Sequence, residues 1–224
     1  MPYPVMLFAA GYGTRMGALT VDRPKPLIKV AGRALLDHAL DLARAAKPPK
    51  IVVNAHYKAT QIAAHLVGQD IEILNEQPDI LDTGGGLKAA RASFGAGPVF
   101  TLNTDAVWAG PNPLTLLAEL WEPQMDALLL CLPPSQAIGH AGAGDFTLSE
   151  GQLSRGPGLV YSGAQLIRPE VLNDIPDRIF SMNVVWDILL KRGALHGCTY
   201  PGAWCDVGHP GGIALAEDML ARHV

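Results

Sequence analysis

Short apolar runs alternate with amphipathic segments of helix length through the first 133 residues of this 224-residue chain. Val5–Ala9 is the first apolar run, and Ala34–Ala46 is the first amphipathic segment, with its leucines and alanines on one face. Parallel strands need long crossover connections, usually helices, which then cover both faces of the sheet. The alternation therefore predicts an α/β fold: a Rossmann-like mixed, mainly parallel sheet flanked by helices.

The same pattern predicts the remaining elements. We expect further strands at 51–53, 71–74, 99–103, 127–132 and 159–167, and helices at 60–67, 86–93, 114–120, 182–192 and 211–222. The alternation changes after residue 133, where a glycine-rich stretch, 139–158, predicts a hairpin. We interpret residues 134–224 as an elaboration of the same sheet, so residues 1–224 are expected to form a single domain.

Composition excludes several classes of function. Hydrophobic residues make up 49% of the chain and charged residues 17%, which is typical of a globular protein. The net charge of −4 offers no basic excess for nucleic acid, and the apolar runs fall short of the roughly 20 residues that span a bilayer. No signal peptide is recognisable. Three scattered cysteines predict neither a disulfide framework nor a zinc site, so we expect a cytoplasmic protein.

The first apolar run breaks in the stretch LFAAGYGTRMG, which contains Gly11 and Gly13. Glycine permits positive φ and close backbone approach, and successive N–H groups in such a turn can bind an anion. A following helix start would add its dipole. The pattern is neither a P-loop nor a good dinucleotide fingerprint. The alternative is a plain strand-to-helix turn.

Two cations follow this turn. Arg15 comes directly after it, and Lys25 stands between two prolines that fix an extended backbone. Together the two cations would suit a polyphosphate. Lys25 taken alone reads as a solvated surface lysine.

Two acids also follow strand-like stretches: Asp105 in TLNTDAVW and Asp206 in GAWCDVGHP. Ligands of open α/β sheets bind beyond the carboxyl ends of the strands. A bound triphosphate requires Mg²⁺, which is usually held by one or two carboxylates together with phosphate oxygens and water. Sequence separation leaves open whether the two acids meet, and each could instead cap a helix or a turn.

A third unusual stretch, NEQPDILDTGGG, joins a polar strand end to three glycines. Such glycines would allow a flat base to lie against backbone, whose N–H and C=O groups could read a pyrimidine edge. The alternative interpretation is a helix N-terminus with Thr83 as its N-cap, and both can hold together.

The stretch AAGYGTRMGALTVDRPKPLIKVAGRALL resembles the signature of the sugar-1-phosphate nucleotidyltransferases, with alanine at position 18 where the family usually has proline. The later motifs fit in the same order, including a W-x-D-[VI]-G-[TH]-P element at 204–210. The resemblance implies the nucleotide-diphospho-sugar transferase fold, with about 1–133 as the nucleotide-binding half and about 134–224 as the sugar-binding half. It also implies a transfer of a nucleotidyl group from a nucleoside triphosphate to a sugar 1-phosphate, with pyrophosphate released.

The resemblance assigns roles to individual residues. Arg15 would stabilise the leaving pyrophosphate, Lys25 would contact the α-phosphate or the sugar phosphate, and Asp105 and Asp206 would hold Mg²⁺. It implies nucleotide contacts at Ala10, Gly11, Gly13, Thr14, Glu76, Thr83, Gly84 and Asn103, and sugar contacts at Asp145, Ser162 and Gly163. No general base is expected, because the attacking phosphate is already ionised.

The glycine-cluster motif, with Asp82 in place of a glutamate, is most similar to the branch of the family that makes UDP-N-acetylmuramic acid in cell-wall (peptidoglycan) recycling. This implies UTP and N-acetylmuramate 1-phosphate as substrates. Guanylyl transfer to mannose 1-phosphate, and thymidylyl or uridylyl transfer to glucose 1-phosphate, are alternatives. A non-catalytic nucleotide-binding module is a further one. The sequence does not indicate an oligomeric state.

Overall fold

Nine strands form one central sheet in the computed structural model, which describes residues 3–223. From one edge to the other the order is β10 (Phe146–Ser149), β11 (Gln152–Arg155), β13 (Leu195–Thr199), β8 (Ala127–Leu132), β12 (Val160–Ile167), β6 (Val99–Asn103), β1 (Val5–Phe8), β4 (Ile51–Ala55) and β5 (Glu72–Asn75). Only β11 and β12 run against the others. The predicted mixed, mainly parallel sheet is confirmed, and β10 and β11 form the expected hairpin.

Six helices connect and cover these strands: α1 (Leu35–Ala45), α2 (Ala59–His65), α3 (Asp82–Ala90), α4 (Pro113–Leu120), α5 (Met182–Lys191) and α6 (Gly211–Ala221). Val5 and Leu7 of β1 pack with α1, α2 and α4 on one face. Met6 points to the other face, toward α3 and α5. All three side chains are fully buried, and each such burial contributes about 1.5–3 kcal/mol.

A second sheet lies beside the first and was not predicted from the sequence. Its strands are β7 (Ala106–Ala109), β14 (Ala203–Asp206) and β9 (Ala137–Ile138), with β14 in the centre, antiparallel to β7 and parallel to β9. A hairpin of β2 (Lys29–Val30) and β3 (Arg33–Ala34) completes the strands. Strands of two to four residues carry too little periodicity to be recognised in a sequence.

Helix α3 begins four residues before its predicted start, so the three glycines lie inside the helix. The backbone of Arg178 and Phe180 lies against this glycine face, and Gly85 N donates to Phe180 O at 3.0 Å. Leu81, not Thr83, is the N-cap residue. The Thr83 hydroxyl instead accepts from Met182 N at 3.0 Å, which joins the first turns of α3 and α5. Among residues 3–223, no helix has the length and apolar character needed to cross a membrane.

Candidate active site

A cavity of about 280 Å³ opens beyond the carboxyl ends of β1, β4 and β6. This is the edge at which parallel α/β sheets bind their ligands. The cavity wall includes ten of the residues predicted from the sequence: Ala10, Gly11, Gly13, Thr14, Arg15, Lys25, Glu76, Thr83, Asn103 and Asp105.

The glycine loop that follows β1 has two different glycines. Gly13 has a φ of +65°, and a Cβ there would lie 2.8 Å from the Cβ of Lys25, so this position requires glycine. Gly11 lies outside the left-handed region, and a Cβ there would meet nothing within 4 Å. Its bare backbone therefore faces open cavity. The loop continues into a kinked 3-10 segment, Thr14–Thr20, and not into the α-helix that would add a full dipole.

Lys25 is held inside the site and is not a surface lysine. Its side chain is 11% exposed, and its Nζ lies 2.9 Å from Asp105 Oδ2. Gly13 packs against its stem, as described above. The ammonium is therefore held at the end of β6, beside the cavity.

Asp105 and Asp206 meet because β7 and β14 pair. In that ladder Asp206 lies opposite Ala106, the residue after Asp105, and Val207 N donates to Asp105 O at 2.8 Å. Gly208 lies between the second carboxylate and the guanidinium: a Cβ there would be 2.7 Å from Asp206 Oδ2 and 3.2 Å from Arg15 Nη1. The structure thus brings two acids that are far apart in the sequence together with two cations that come from one short stretch.

Burial raises the pKa of the Asp206 carboxyl, and the negative charge of Asp105 raises it further. Lys25, Arg15 and His140 oppose this rise. A divalent cation between the two carboxylates would relieve both their desolvation and their repulsion. No cluster of three or more Asp, Glu, His or Cys side chains suited to a metal is present in the described part of the chain. Two carboxylates with room for phosphate oxygens and water fit the preferences of Mg²⁺.

The opposite end of the cavity is lined by Asn54, Glu76, Ile80, Asp82 and Thr83. Glu76 is 2% exposed, and both of its carboxylate oxygens accept hydrogen bonds from the protein, from Asn54 Nδ2 at 2.7 Å and from Leu81 N at 2.8 Å. This end therefore combines a buried polar floor with the more exposed wall of Asp82 and Thr83.

The structure does not bring Gly84 into the cavity wall. Gly84 is buried in α3, where a Cβ would lie 2.5 Å from the Phe180 ring and 2.9 Å from Phe180 O. Its missing side chain makes room for Phe180, a contact between the first and the second half of the chain.

The three predicted sugar residues also lie outside this wall. Asp145 Oδ2 accepts from Tyr161 N at 2.9 Å, and the Ser162 hydroxyl donates to Leu130 O at 2.6 Å. Ser162 and Gly163 form a bulge in β12, and Gly163, with a φ of +88°, packs against Asn103 of the cavity wall. The bulge is thus joined to the cavity through Asn103.

Sequence reasoning missed Asn54, Asp82, Thr104 and Gly208, all of which line the cavity. Asn54 follows the predicted strand at 51–53 just as Asn103 ends its own strand, so the same strand-end pattern could have identified it. Thr104 is buried, and its hydroxyl donates to Phe8 O at 2.7 Å, which ties the ends of β6 and β1 together. Gly208 belongs to the W-x-D-[VI]-G-[TH]-P element at 204–210, but the sequence does not show that it lies beside Arg15.

Comparisons with known proteins agree with this geometry. The family model described as a MobA-like NTP transferase domain matches residues 5–147. An N-acetylmuramate alpha-1-phosphate uridylyltransferase of Caulobacter vibrioides is 40% identical over 99% of this chain and 98% of its own length. An enzyme of the same name from Neisseria meningitidis is 30% identical over 91% of this chain and 92% of its own.

A solved structure of a UDP-glucose pyrophosphorylase complexed with UDP-glucose superimposes with a TM-score of 0.80. The match covers 99% of each chain at 15% sequence identity, and it supports the nucleotide-diphospho-sugar transferase fold. The family model covers well over half of the chain, and two relatives extend the likeness over nearly all of it. The chain belongs to the MobA-like NTP transferase domain family, which confirms the resemblance found in the sequence.

Proposed function

We propose that this chain is a uridylyltransferase that converts UTP and N-acetylmuramate 1-phosphate into UDP-N-acetylmuramic acid and pyrophosphate. The observation that carries the proposal is that Arg15, Lys25 and Asp105 line one cavity, while Asp206 lies just outside its wall beside Gly208 and Arg15. The names of the two bacterial relatives support the choice of substrates.

In the proposed reaction an oxygen of the sugar phosphate attacks the α-phosphorus of UTP, and the bond between the α-phosphorus and the bridging oxygen breaks. Pyrophosphate leaves with that oxygen, and no proton has to move. The protein therefore acts by positioning and by charge neutralisation. Arg15 would stabilise charge on the departing β- and γ-phosphates, and Lys25 would bind the α-phosphate or the sugar phosphate.

Asp105 and Asp206 are the proposed ligands of Mg²⁺, the divalent cation that enzymes of this class generally need. When bound, the ion would neutralise phosphate charge and hold the two substrates together. The Lys25 ammonium lies 2.9 Å from Asp105 Oδ2. It would therefore lie close to a phosphate that the Mg²⁺ ion holds beside Asp105.

We assign the nucleotide to the glycine loop and the opposite wall. Ala10, Gly11, Gly13 and Thr14 would present backbone groups to the triphosphate, while Thr83 and Asn103 would face the nucleoside. Gly84 would support the neighbouring Thr83 indirectly, by letting the start of α3 pack against Phe180. The sugar would lie toward Asp145, Ser162 and Gly163, beyond Asn103.

We further propose that residues 1–224 act as one domain, with about 1–133 binding the nucleotide and about 134–224 binding the sugar. Strands from both parts share the nine-stranded sheet, which supports a single domain. The three cysteines are free thiols, which fits a reducing cytoplasm. We also propose a role in peptidoglycan recycling, because the proposed product is UDP-N-acetylmuramic acid.

A substrate matrix tests the proposal. The purified chain would be incubated with Mg²⁺, with UTP, GTP or dTTP, and with the 1-phosphates of N-acetylmuramate, mannose or glucose, while pyrophosphate release is followed. We expect kcat/KM to be highest for UTP with N-acetylmuramate 1-phosphate.

The other outcomes identify the alternatives. Faster turnover of GTP with mannose 1-phosphate, or of dTTP or UTP with glucose 1-phosphate, would reassign the substrates within the family. Nucleotide binding without turnover of any pair would instead indicate a non-catalytic nucleotide-binding module.

A further inference from the structure

Asn54, at the carboxyl end of β4, is a buried polar residue that links β1 to β5. Its Oδ1 accepts from Ala9 N at 2.8 Å, and its Nδ2 donates to Glu76 Oε1 at 2.7 Å. Asn54 is 3% exposed and Glu76 is 2% exposed. A buried polar group keeps its place only when it is hydrogen-bonded, so the pair is expected to be rigid.

Glu76 extends this connection to the other side of the cavity, because its Oε2 accepts from Leu81 N at 2.8 Å. One chain of three hydrogen bonds thus runs from Ala9 through Asn54 and Glu76 to Leu81. Ala9 precedes the glycine loop, and Leu81 precedes Asp82 and Thr83. The chain of bonds therefore spans the cavity from one wall to the other.

Resting on the proposed function, we infer that Asn54 and Glu76 are positioning residues for the nucleotide. The pair fixes the distance between the glycine loop and the wall formed by Asp82 and Thr83. In this account the Glu76 carboxylate accepts hydrogen bonds from Asn54 and Leu81 and does not contact the nucleotide. This positioning role replaces the nucleotide contact expected from the sequence.

Helix α3 prevents the pair from moving away from the cavity. A Cβ at Gly86 would lie 2.8 Å from Glu76 Oε1 and 2.9 Å from Asn54 Nδ2, so the two side chains rest directly on helix backbone. Because the packing is this close, a change in either side chain is expected to displace the glycine loop or the wall formed by Asp82 and Thr83.

The order of donors and acceptors explains why one amide and one carboxylate are needed. The two ends of this chain of hydrogen bonds are both backbone donors, Ala9 N and Leu81 N. The amide accepts from Ala9 and donates to its partner, so the partner must accept twice. Asn54→Asp would set two carboxylates face to face, and Glu76→Gln would leave one donor facing another.

Exchanging the two groups restores every bond. In the double variant Asn54→Asp/Glu76→Gln, the aspartate accepts from Ala9 N and from the glutamine amide, and the glutamine oxygen accepts from Leu81 N. The charge is conserved but moves from position 76 to position 54.

The affinity for UTP in the presence of Mg²⁺ would be measured by calorimetry for the wild-type chain, the two single variants and the double variant. We expect each single variant to bind UTP about tenfold more weakly or worse, because a buried group loses its partner. The double variant should return to within about threefold of the wild type. If a single variant does not fold, the double variant alone decides.

Thr101→Val is the matched control. It removes the acceptor of the Gln165 amide, a buried bond of 3.0 Å between β6 and β12 outside the cavity wall. We expect a lower Tm with unchanged affinity for UTP.

Two results would overturn the inference. A double variant as weak as Glu76→Gln would mean that the carboxylate at position 76 itself meets the nucleotide. An equal loss of UTP affinity in Thr101→Val would mean that the effect is general destabilisation. A wild-type chain that binds UTP but turns over no sugar phosphate would refute the proposed function and leave this test intact, whereas one that binds no UTP refutes both.

Discussion

Gly84→Ala tests whether the glycine at position 84 has a structural role in packing. Alanine in a helix interior is normally more stable than glycine by about 0.8–1 kcal/mol. Here the new Cβ would lie 2.5 Å from the Phe180 ring and 2.9 Å from Phe180 O. Ordinary contacts of this kind are about 3.5–4 Å, so the ring would have to move by roughly 1 Å.

Phe180 cannot make that movement freely. It is 6% exposed. Its backbone forms two hydrogen bonds to the first turn of α3: its N donates to Leu81 O, and its O accepts from Gly85 N. Overpacking in such a place costs about 1–3 kcal/mol, and a distorted Gly85 bond adds about 0.5–1.5 kcal/mol. After subtraction of the helix gain, we expect a net loss of roughly 0.5–3.7 kcal/mol.

Thermal unfolding followed by circular dichroism would measure this effect. For a chain of this size each kcal/mol shifts Tm by about 2–4 °C, so we expect a fall of roughly 1–15 °C. Gly156→Ala is the control, because its Cβ would meet only Thr147 Cγ2 at an ordinary 3.4 Å. Adding Phe180→Leu to the Gly84 variant should recover part of the loss. A Gly84→Ala chain with an equal or higher Tm would refute the packing argument.

Three further results are expected. Arg15→Ala and Lys25→Ala should each lower turnover by about a hundredfold or more with unchanged circular dichroism, as for other lost charge-stabilising groups; a variant that unfolds would indicate a structural role instead. Asp206→Asn should raise Tm at pH 7 while it reduces turnover. Because the pKa of Asp206 is raised in the folded state, its ionised form lowers the stability of the fold at neutral pH. The gain in Tm from the asparagine should therefore shrink as the pH falls through that pKa. An unchanged or lower Tm at pH 7 would contradict this sign. Removing divalent cations with EDTA should abolish turnover, and added Mg²⁺ should raise the Tm of the wild type but not of Asp105→Asn; an equal rise in both proteins would place the ion elsewhere.

The sequence predicts most of the central sheet and the glycine loop because both depend on local patterns. Val5–Phe8 is apolar throughout, and the break at Gly11 marks its end wherever the rest of the chain lies. Arg15 and Lys25 belong to one short stretch, so their proximity follows from connectivity.

Features that depend on pairing between distant segments are different. Asp105 and Asp206 meet through β7 and β14, two four-residue strands whose pairing no local pattern indicates. The start of α3 was placed too late because glycines usually disfavour a helix. Only the close contacts with Phe180, Arg178 and the Asn54–Glu76 pair account for them. Asn54 lies near a strand end that the sequence does show, but its two partners, Ala9 and Glu76, follow other strands and cannot be read from the local pattern.

The pairing of β14 with β7 has a consequence for how the protein is made. Residues 203–206 leave the ribosome long after the glycine loop, because most of the other elements lie between them in the sequence. A nascent chain that ends before β14 can already contain β1, β4, β5 and β6, yet it lacks one of the two carboxylates. Domains fold from the N-terminus during synthesis, and long-range strand pairing comes late. The chain is therefore expected to remain inactive until β14 has been made and has paired with β7, so copies that lack β14 would not consume substrate.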